Sequence, residues 1–181
     1  MPLMQKKIFL KTEGDSYYKR NKSKKNVTPF FFEICDFLKK EKLYKEKLSV
    51  IDVGSSNGIF LSRLKKKFKN FRYFGLDPSI EALKNMRKGI TPIHGTADKI
   101  NLKSNSIDIL IYGFSLYLTD LEDHKRISLE ANRILKKNGY LILYDFFSKK
   151  MKKVKYKHHK KIKVIKFDFD KIFSKDKYFL F

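Results

Sequence analysis

A chain of 181 residues, 42% of them hydrophobic, is long enough to bury one continuous core and too short for two complete domains. It has no apolar run near the roughly 18 residues of a membrane span, no secretory signal, and one cysteine, Cys35, which cannot form an internal disulfide; together these features predict a cytoplasmic protein. The net charge of +23 suggests a polyanionic partner, but only six of the 42 basic residues are arginine, the better binder of phosphates and base edges, so nucleic acid is disfavoured.

Residues 1–27 are polar and basic and show no sustained period of 2 or 3.6. This pattern predicts an amino-terminal arm or lid, followed by one domain over residues 28–181. A helix is predicted from Pro29 to about Lys45. Thr28 can serve as its N-cap, proline suits the first helical position, and apolar residues recur on one face.

Apolar runs and amphipathic stretches then alternate along the chain. Strands are predicted over 48–53, 72–77, 92–95, 107–112 and 140–144, and helices over 59–64, 80–88 and 123–136, with a turn at Asn138-Gly139 before the last strand. Such alternation indicates an α/β fold with a Rossmann-like, mostly parallel sheet and helices on both faces. Beyond residue 147 the chain continues with a lysine run that contains His158 and His159.

Carboxylates stand at or just after the ends of three successive predicted strands, as Asp52, Asp77 and Asp98. Open parallel sheets bind ligands outside the carboxyl ends of their strands, where the strand order reverses. The glycine-containing turn 54–58 lets a ligand approach the backbone, and Asp77 can accept hydrogen bonds from both hydroxyls of a ribose. The turn has the spacing of neither a dinucleotide motif nor a phosphate loop, so a ligand without phosphate is favoured. Helix capping explains each carboxylate singly, but it does not explain why all three recur at strand ends.

The segments Val50–Gly58 and Gly75–Ser79 resemble the glycine-rich and ribose-binding motifs of class I S-adenosylmethionine (SAM)-dependent methyltransferases, most closely the methyltransferase type 11 family. The similarity extends through 95–98, 106–110 and 130–140, and so spans roughly residues 48–147. It implies SAM as the cofactor, with its methionine part at Gly54, its ribose at Asp77 and its adenine amino group at Ala97 and Asp98. The full set of implied cofactor-binding residues is Asp52, Gly54, Ser55, Ser56, Asn57, Gly58, Asp77, Pro78, Ala97, Asp98 and Phe114. No Cys/His set has metal-ligand spacing, so no metal is expected.

The sequence departs from the family pattern in two places. Ser56 stands where the loop usually has its middle glycine, so a positive φ at this position would carry strain. The chain also ends soon after the fifth strand, where the family adds two more, which predicts a sheet shortened at the carboxyl terminus. The segment 162–169 is a candidate for one of these strands. An exposed sheet edge beside the apolar terminus 178–181 favours a homodimer.

The acceptor is the part of the function that the sequence constrains least. The Asn-Pro-Pro-Tyr-like signature of methyltransferases that act on bases is absent after the fourth strand. The favoured hypothesis is methyl transfer to a small-molecule or sugar-type acceptor, with Asp145 and His158 as candidate catalytic bases and Tyr117 and His159 as further candidates. Two alternatives stay open. One is an RNA methyltransferase that uses the lysine-rich carboxyl-terminal segment, and the other is a SAM-binding protein with weak or no catalysis.

Overall fold

Five parallel strands form the centre of the computed structural model, which describes residues 5–23 and 29–173. The strands are β1 (Ser49–Val53), β2 (Arg72–Asp77), β3 (Thr91–His94), β4 (Ile107–Gly113) and β5 (Leu135–Tyr144), and their order in the sheet is β3-β2-β1-β4-β5. The order reverses between β1 and β4, which places the ligand-binding switch point at the carboxyl ends of these strands. The predicted N-cap Thr28 and the apolar terminus 178–181 lie outside the described residues.

Helices cover both faces of this sheet. Those within the described residues are α1 (Gln5–Ile8), α2 (Gly14–Asn21), α3 (Pro29–Lys40), α4 (Ile59–Lys67), α5 (Ile80–Lys84) and α6 (His124–Ile134), with a π-helical turn (Phe9–Glu13) between α1 and α2. Successive side chains of β4 lie on opposite faces of the sheet. Ile109 and Ile111 pack with α3 and α4, whereas Leu110 and Tyr112 pack with α6. The predicted Rossmann-like α/β fold is therefore confirmed. None of the helices just named combines the length and the hydropathy that crossing a membrane requires.

Some element ends differ from the prediction. α3 ends at Lys40, because Lys42 takes a left-handed φ of 55° and a short 3-10 turn follows. α5 ends at Lys84 and not at residue 88. β5 starts before the predicted turn: Leu135 pairs with Ile107, Tyr140 pairs with Ile109, and the residues between them bulge outward around Asn138, whose φ is 63°.

The segment 162–169 forms a separate structure and does not extend the main sheet. β6 (Lys152–Lys155) and β7 (Lys163–Lys166) pair antiparallel as a two-stranded unit, here called the ribbon. Ile165 of β7 is 3% exposed and packs into the core on the α6 side, whereas every residue of β6 is exposed. Within the described ranges the main sheet therefore has five strands.

Residues 5–21, here called the arm, contact both the main domain and the ribbon. The Gln5 side chain donates to the carbonyl oxygen of Leu118 at 3.1 Å and accepts a hydrogen bond from the backbone N–H of Lys163. Glu13 is 4% exposed; it accepts a 2.9 Å hydrogen bond from the Tyr156 hydroxyl and pairs with Arg20. These contacts hold the arm between the ribbon and the carboxyl end of the sheet.

Candidate active site

A cavity of about 620 Å³ lies at the carboxyl ends of β1, β2 and β4. The turn after β1 and Asp77 form part of its lining, the arm supplies a second wall that includes Tyr17, and residues that follow β4 and β5 supply a third. Ten of the eleven residues that the resemblance implies for the cofactor line this cavity. The exception is Gly58, which is the N-cap residue of α4.

The turn after β1 brings the backbone close to neighbouring elements. Gly54 has a φ of 84°, and a Cβ added there would lie 2.8 Å from the Cβ of Ser115, so the position requires glycine. Ser56 has a φ of 53°, the positive value expected to carry strain where the family pattern has glycine. The Ser56 N–H donates a 2.7 Å hydrogen bond to the carboxylate of Asp77. This bond fixes the strained turn against the end of β2.

Two buried carboxylates line the cavity beside this turn. Asp77 accepts hydrogen bonds on different oxygens from the N–H groups of Ser56 and Ser79, at 2.7 and 2.8 Å, so each oxygen keeps capacity for another donor. Burial raises the pKa of Asp77 to about 6, although these N–H groups lower it. Burial, together with the charge of Asp77, raises the pKa of Asp52 to about 7. The two aspartates therefore hold less negative charge near neutral pH than two exposed ones would.

Replacing Asp52 with asparagine is expected to stabilise the ligand-free protein at pH 8. The folded-state pKa of Asp52 lies above its ordinary value of 3.8, so its contribution to the free energy of unfolding is fully present below about pH 4 and is lost as the pH rises through about 7. An asparagine at this position stays neutral and does not lose this contribution. The variant should gain a few kcal/mol of stability at pH 8 and little at pH 4. Urea unfolding at both pH values measures the difference.

Asp98→Asn is the matched control for Asp52→Asn, because the pKa of Asp98 is shifted in the opposite direction. The contribution of the Asp98 carboxylate to the free energy of unfolding is present above its unfolded-state pKa and is lost as the pH falls. Asp98→Asn should therefore be destabilised at neutral pH. An Asp52→Asn effect of equal size at pH 4 and pH 8 would show that the substitution acts through packing and not through charge.

Asp98 is paired with a cation from the arm. The Lys6 ammonium bonds the Asp98 carboxylate and lies 3.1 Å from Oδ1 of Asp123, while the Thr96 hydroxyl donates to Asp98 at 2.7 Å. Although burial opposes ionisation, these hydrogen bonds keep the pKa of Asp98 below its ordinary value. Asp98 therefore lines the cavity as an ionised carboxylate that is tied to α1. No pattern in the sequence pointed to Lys6, which lies 92 residues from Asp98 in the chain.

The third wall combines aromatic rings with hydroxyl groups. The ring centroids of Phe114 and Phe146 are 5.3 Å apart, and those of Tyr117 and Phe146 are 5.1 Å apart. The Tyr117 hydroxyl lies 3.3 Å from the hydroxyl of Tyr17 in the arm. Burial raises the pKa of Tyr117, so its hydroxyl stays protonated at neutral pH. Ser115 Oγ is buried and has no hydrogen-bond partner among the described residues. A wall of this kind offers apolar contact and a few groups that orient a ligand.

Asp145 and the two histidines named as candidate bases are not among the residues that line the cavity. The Asp145 carboxylate accepts backbone hydrogen bonds from Leu116, Tyr117 and Phe146 at 2.8, 3.2 and 2.8 Å, and burial raises its pKa to about 6. His158 is exposed and His159 half-buried in the turn between β6 and β7. Tyr117, the remaining candidate, does line the cavity. Across 5–23 and 29–173, no group of three or more His, Cys, Asp or Glu side chains could hold a metal ion.

The chain is similar in sequence to proteins of one family. A family model described as a methyltransferase domain matches residues 51–143, which are just over half of the chain and contain most of the main sheet. A protein of Dictyostelium discoideum named as a candidate methyltransferase is 26% identical over 134 residues, which cover 73% of this chain and 49% of that protein. The chain thus spans about half the length of this curated relative.

Solved structures of similar proteins share the fold. A protein of Pyrococcus horikoshii is 20% identical with a TM-score of 0.56, over 72% of this chain and 66% of that one. A candidate sarcosine dimethylglycine methyltransferase of Galdieria sulphuraria is also 20% identical, with a TM-score of 0.55, over 62% of this chain and 45% of that one. At this level of identity the likeness establishes the architecture of the sheet and helices.

Proposed function

The chain belongs to the methyltransferase-domain family, and from that premise we propose that it transfers a methyl group from SAM to a small-molecule or sugar-type acceptor. The observation that carries the proposal is the cavity at the carboxyl end of the sheet. There the glycine turn after β1, Asp77 at the end of β2 and Asp98 beyond β3 line one space at three neighbouring strands. Fold alone does not imply function, but this arrangement of groups supports it.

The lining suits the parts of SAM one by one. The turn at Gly54 offers backbone without a side chain, which suits the close approach of the methionine part. Asp77 keeps acceptor capacity on both oxygens for the two ribose hydroxyls, since its existing bonds use only one site on each. Asp98 is ionised and can accept a hydrogen bond from the adenine amino group beside Ala97. When bound, SAM supplies an activated methyl group on a positively charged sulfur, which is transferred by in-line displacement.

In this proposal the protein acts mainly by orienting the acceptor. Tyr17 and Tyr117 present hydroxyl groups 3.3 Å apart at the cavity wall, and Tyr117 serves as a hydrogen-bond donor because its raised pKa keeps the proton in place. The Asp145 carboxylate accepts hydrogen bonds from the backbone N–H groups of Leu116 and Tyr117, so it positions Tyr117 and its hydroxyl group. Correct alignment of two reactants can supply a large share of a rate enhancement. The assignment of Asp145 and His158 as catalytic bases stays a prediction.

The arm favours a small acceptor over a polymer. It contributes Lys6, Phe9, Gly14 and Tyr17 to the cavity lining. An RNA strand would therefore have to displace these arm residues to reach the turn after β1. Gly14 lies so close to the turn after β2 that an added Cβ would be 3.1 Å from the Ser79 nitrogen. Arm and main domain therefore line the cavity together, which suits a small ligand.

Methyl transfer can be followed with isotope-labelled SAM, using a small-metabolite extract and total RNA as separate acceptor pools. We expect label in the metabolite pool, with a yield that is insensitive to ribonuclease and depends little on salt. Label that accumulates in RNA and falls steeply with salt would support the RNA alternative. Binding of S-adenosylhomocysteine without transfer to either pool would support a SAM-binding protein with weak or no catalysis.

Tyr117→Phe is expected to lower kcat/KM for the labelled acceptor roughly tenfold, because it removes one oriented hydrogen bond. Tyr73→Phe is the matched control: its hydroxyl is buried and donates to the Phe68 carbonyl at 2.9 Å, away from the cavity. Equal losses in both variants would show that a general loss of stability, and not acceptor orientation, explains the effect.

A further inference from the structure

The ribbon and its flanks carry a concentration of positive charge that the proposed chemistry does not use. Residues 149–166 include ten lysines, and no Asp or Glu occurs between Asp145 and Asp168. Among the residues that the structure describes, none of these ten lysines is in an ion pair, although lysines elsewhere, such as Lys6 and Lys136, are. This charge is therefore available to an anionic partner outside the chain.

Exposed apolar side chains lie among these lysines in the sequence. Phe147 is 65% exposed, Met151 44% and Val154 46%. Val154 belongs to β6, whose four residues are all exposed, while β7 anchors the ribbon through the buried Ile165. β6 and the segment before it thus form a largely exposed surface that carries both apolar and cationic side chains.

We propose that this surface, residues 147–157, binds the headgroup region of an anionic phospholipid bilayer. Lysines near such a bilayer are attracted by its negative surface potential, and Phe and Met side chains gain by entering the boundary between headgroups and acyl chains. Lysine stems also lie on apolar surface while their ammonium groups reach phosphates. Clusters of four to eight basic residues are typical of such surfaces.

Two features favour a bilayer over nucleic acid. The stretch 146–167 contains no arginine, the residue that pairs with phosphates and base edges through its planar fork. Met151 and Val154 have no flat face on which a base can stack, whereas both are suited to partial insertion among lipids. The surface also adjoins the candidate active site, since Phe146 both lines the cavity and lies 5.5 Å under the ammonium of Lys166.

Vesicle co-sedimentation of the full chain tests this inference without reference to methyl transfer. The probes are vesicles of phosphatidylcholine alone and vesicles in which a quarter of the lipid is phosphatidylglycerol. We expect binding to the anionic vesicles at physiological salt and a decline as salt rises. The triple variant Lys152→Gln, Lys153→Gln, Lys155→Gln should lower the partition coefficient roughly 100-fold. A matched triple variant at the exposed Lys40, Lys47 and Lys66 should change it less than about threefold.

A second variant separates lipid from nucleic acid. Phe147→Ser with Met151→Ser should weaken vesicle binding at least about tenfold and leave binding of a fluorescent single-stranded RNA unchanged, because only lipid binding uses apolar insertion. Circular dichroism confirms that each variant folds. Three results would each overturn the inference. The wild type could fail to bind anionic vesicles, or both triple lysine variants could lose vesicle binding equally. In the third, the chain binds RNA more tightly than anionic vesicles, and the two serine substitutions leave RNA binding unchanged. In the first case the lysines serve only to keep an exposed strand edge from pairing with other chains.

Discussion

Replacing Asp77 with alanine is expected to lower the affinity for S-adenosylhomocysteine about 100-fold. The substitution removes the proposed acceptor of two ribose hydrogen bonds, and hydrogen bonds to a charged group contribute about 1.5–3 kcal/mol each. It also frees the N–H groups of Ser56 and Ser79, which bond the carboxylate at 2.7 and 2.8 Å and hold the strained turn in place. Calorimetric titration at pH 8, above the raised pKa of about 6, measures the effect on the ionised form.

Two further variants make the Asp77 experiment specific. Asp77→Asn keeps the shape of the side chain but carries no charge, so its affinity should fall between those of the wild type and Asp77→Ala. Asp108→Ala is the matched control. Asp108 accepts a 2.8 Å hydrogen bond from the Ser49 N–H and pairs with Lys136, and it does not line the cavity. An affinity for S-adenosylhomocysteine that is unchanged in a folded Asp77→Ala protein would contradict the proposed cofactor site.

Gly54→Ala is expected to abolish measurable cofactor binding and to lower the free energy of unfolding by roughly 3 kcal/mol. The new Cβ would lie 2.8 Å from the Cβ of Ser115, so the ends of β1 and β4 must move apart. The φ of 84° adds a second cost, because residues with a Cβ rarely adopt it. Thermal or urea unfolding and calorimetric titration measure the two effects.

The double variant Gly54→Ala with Ser115→Gly separates these two causes. Removing the Ser115 Cβ relieves the steric contact and leaves the backbone strain at position 54, so about half of the lost stability should return. Full recovery would show that the contact alone is responsible. No recovery would assign the whole cost to backbone conformation. Wild-type affinity in Gly54→Ala would contradict the close approach of a ligand to this turn.

Local patterns in the sequence predicted the scaffold of the site well. The apolar runs that end at Gly54 and Asp77 form neighbouring parallel strands in the structure. They could be predicted because hydrophobic periodicity and turn residues are local signals. The handedness of crossover connections then restricts the order of the strands in the sheet. Ser56 could be predicted to need a positive φ from the family pattern alone. The bulge at Asn138 could not be placed, because the pairing of Leu135 with Ile107 depends on a partner strand.

The α/β architecture and the positions of the carboxylates at the strand ends follow from the sequence, because short-range periodicity and turn chemistry encode them. The resemblance to the family follows from its motifs, such as the turn at Gly54 and the segment that contains Asp77. Which distant groups meet depends on the packed fold: Lys6 meets Asp98 and Tyr17 meets Tyr117 at the cavity, and Glu13 meets Tyr156 where the arm contacts the ribbon. The arm shows no regular period because it contains a π-helical turn and contacts partners in both the main domain and the ribbon. The pairs Lys6–Asp98, Tyr17–Tyr117 and Glu13–Tyr156 join residues that are 92, 100 and 143 positions apart in the chain. The burial that raises the pKa of Asp52 and Tyr117 likewise exists only in the packed fold.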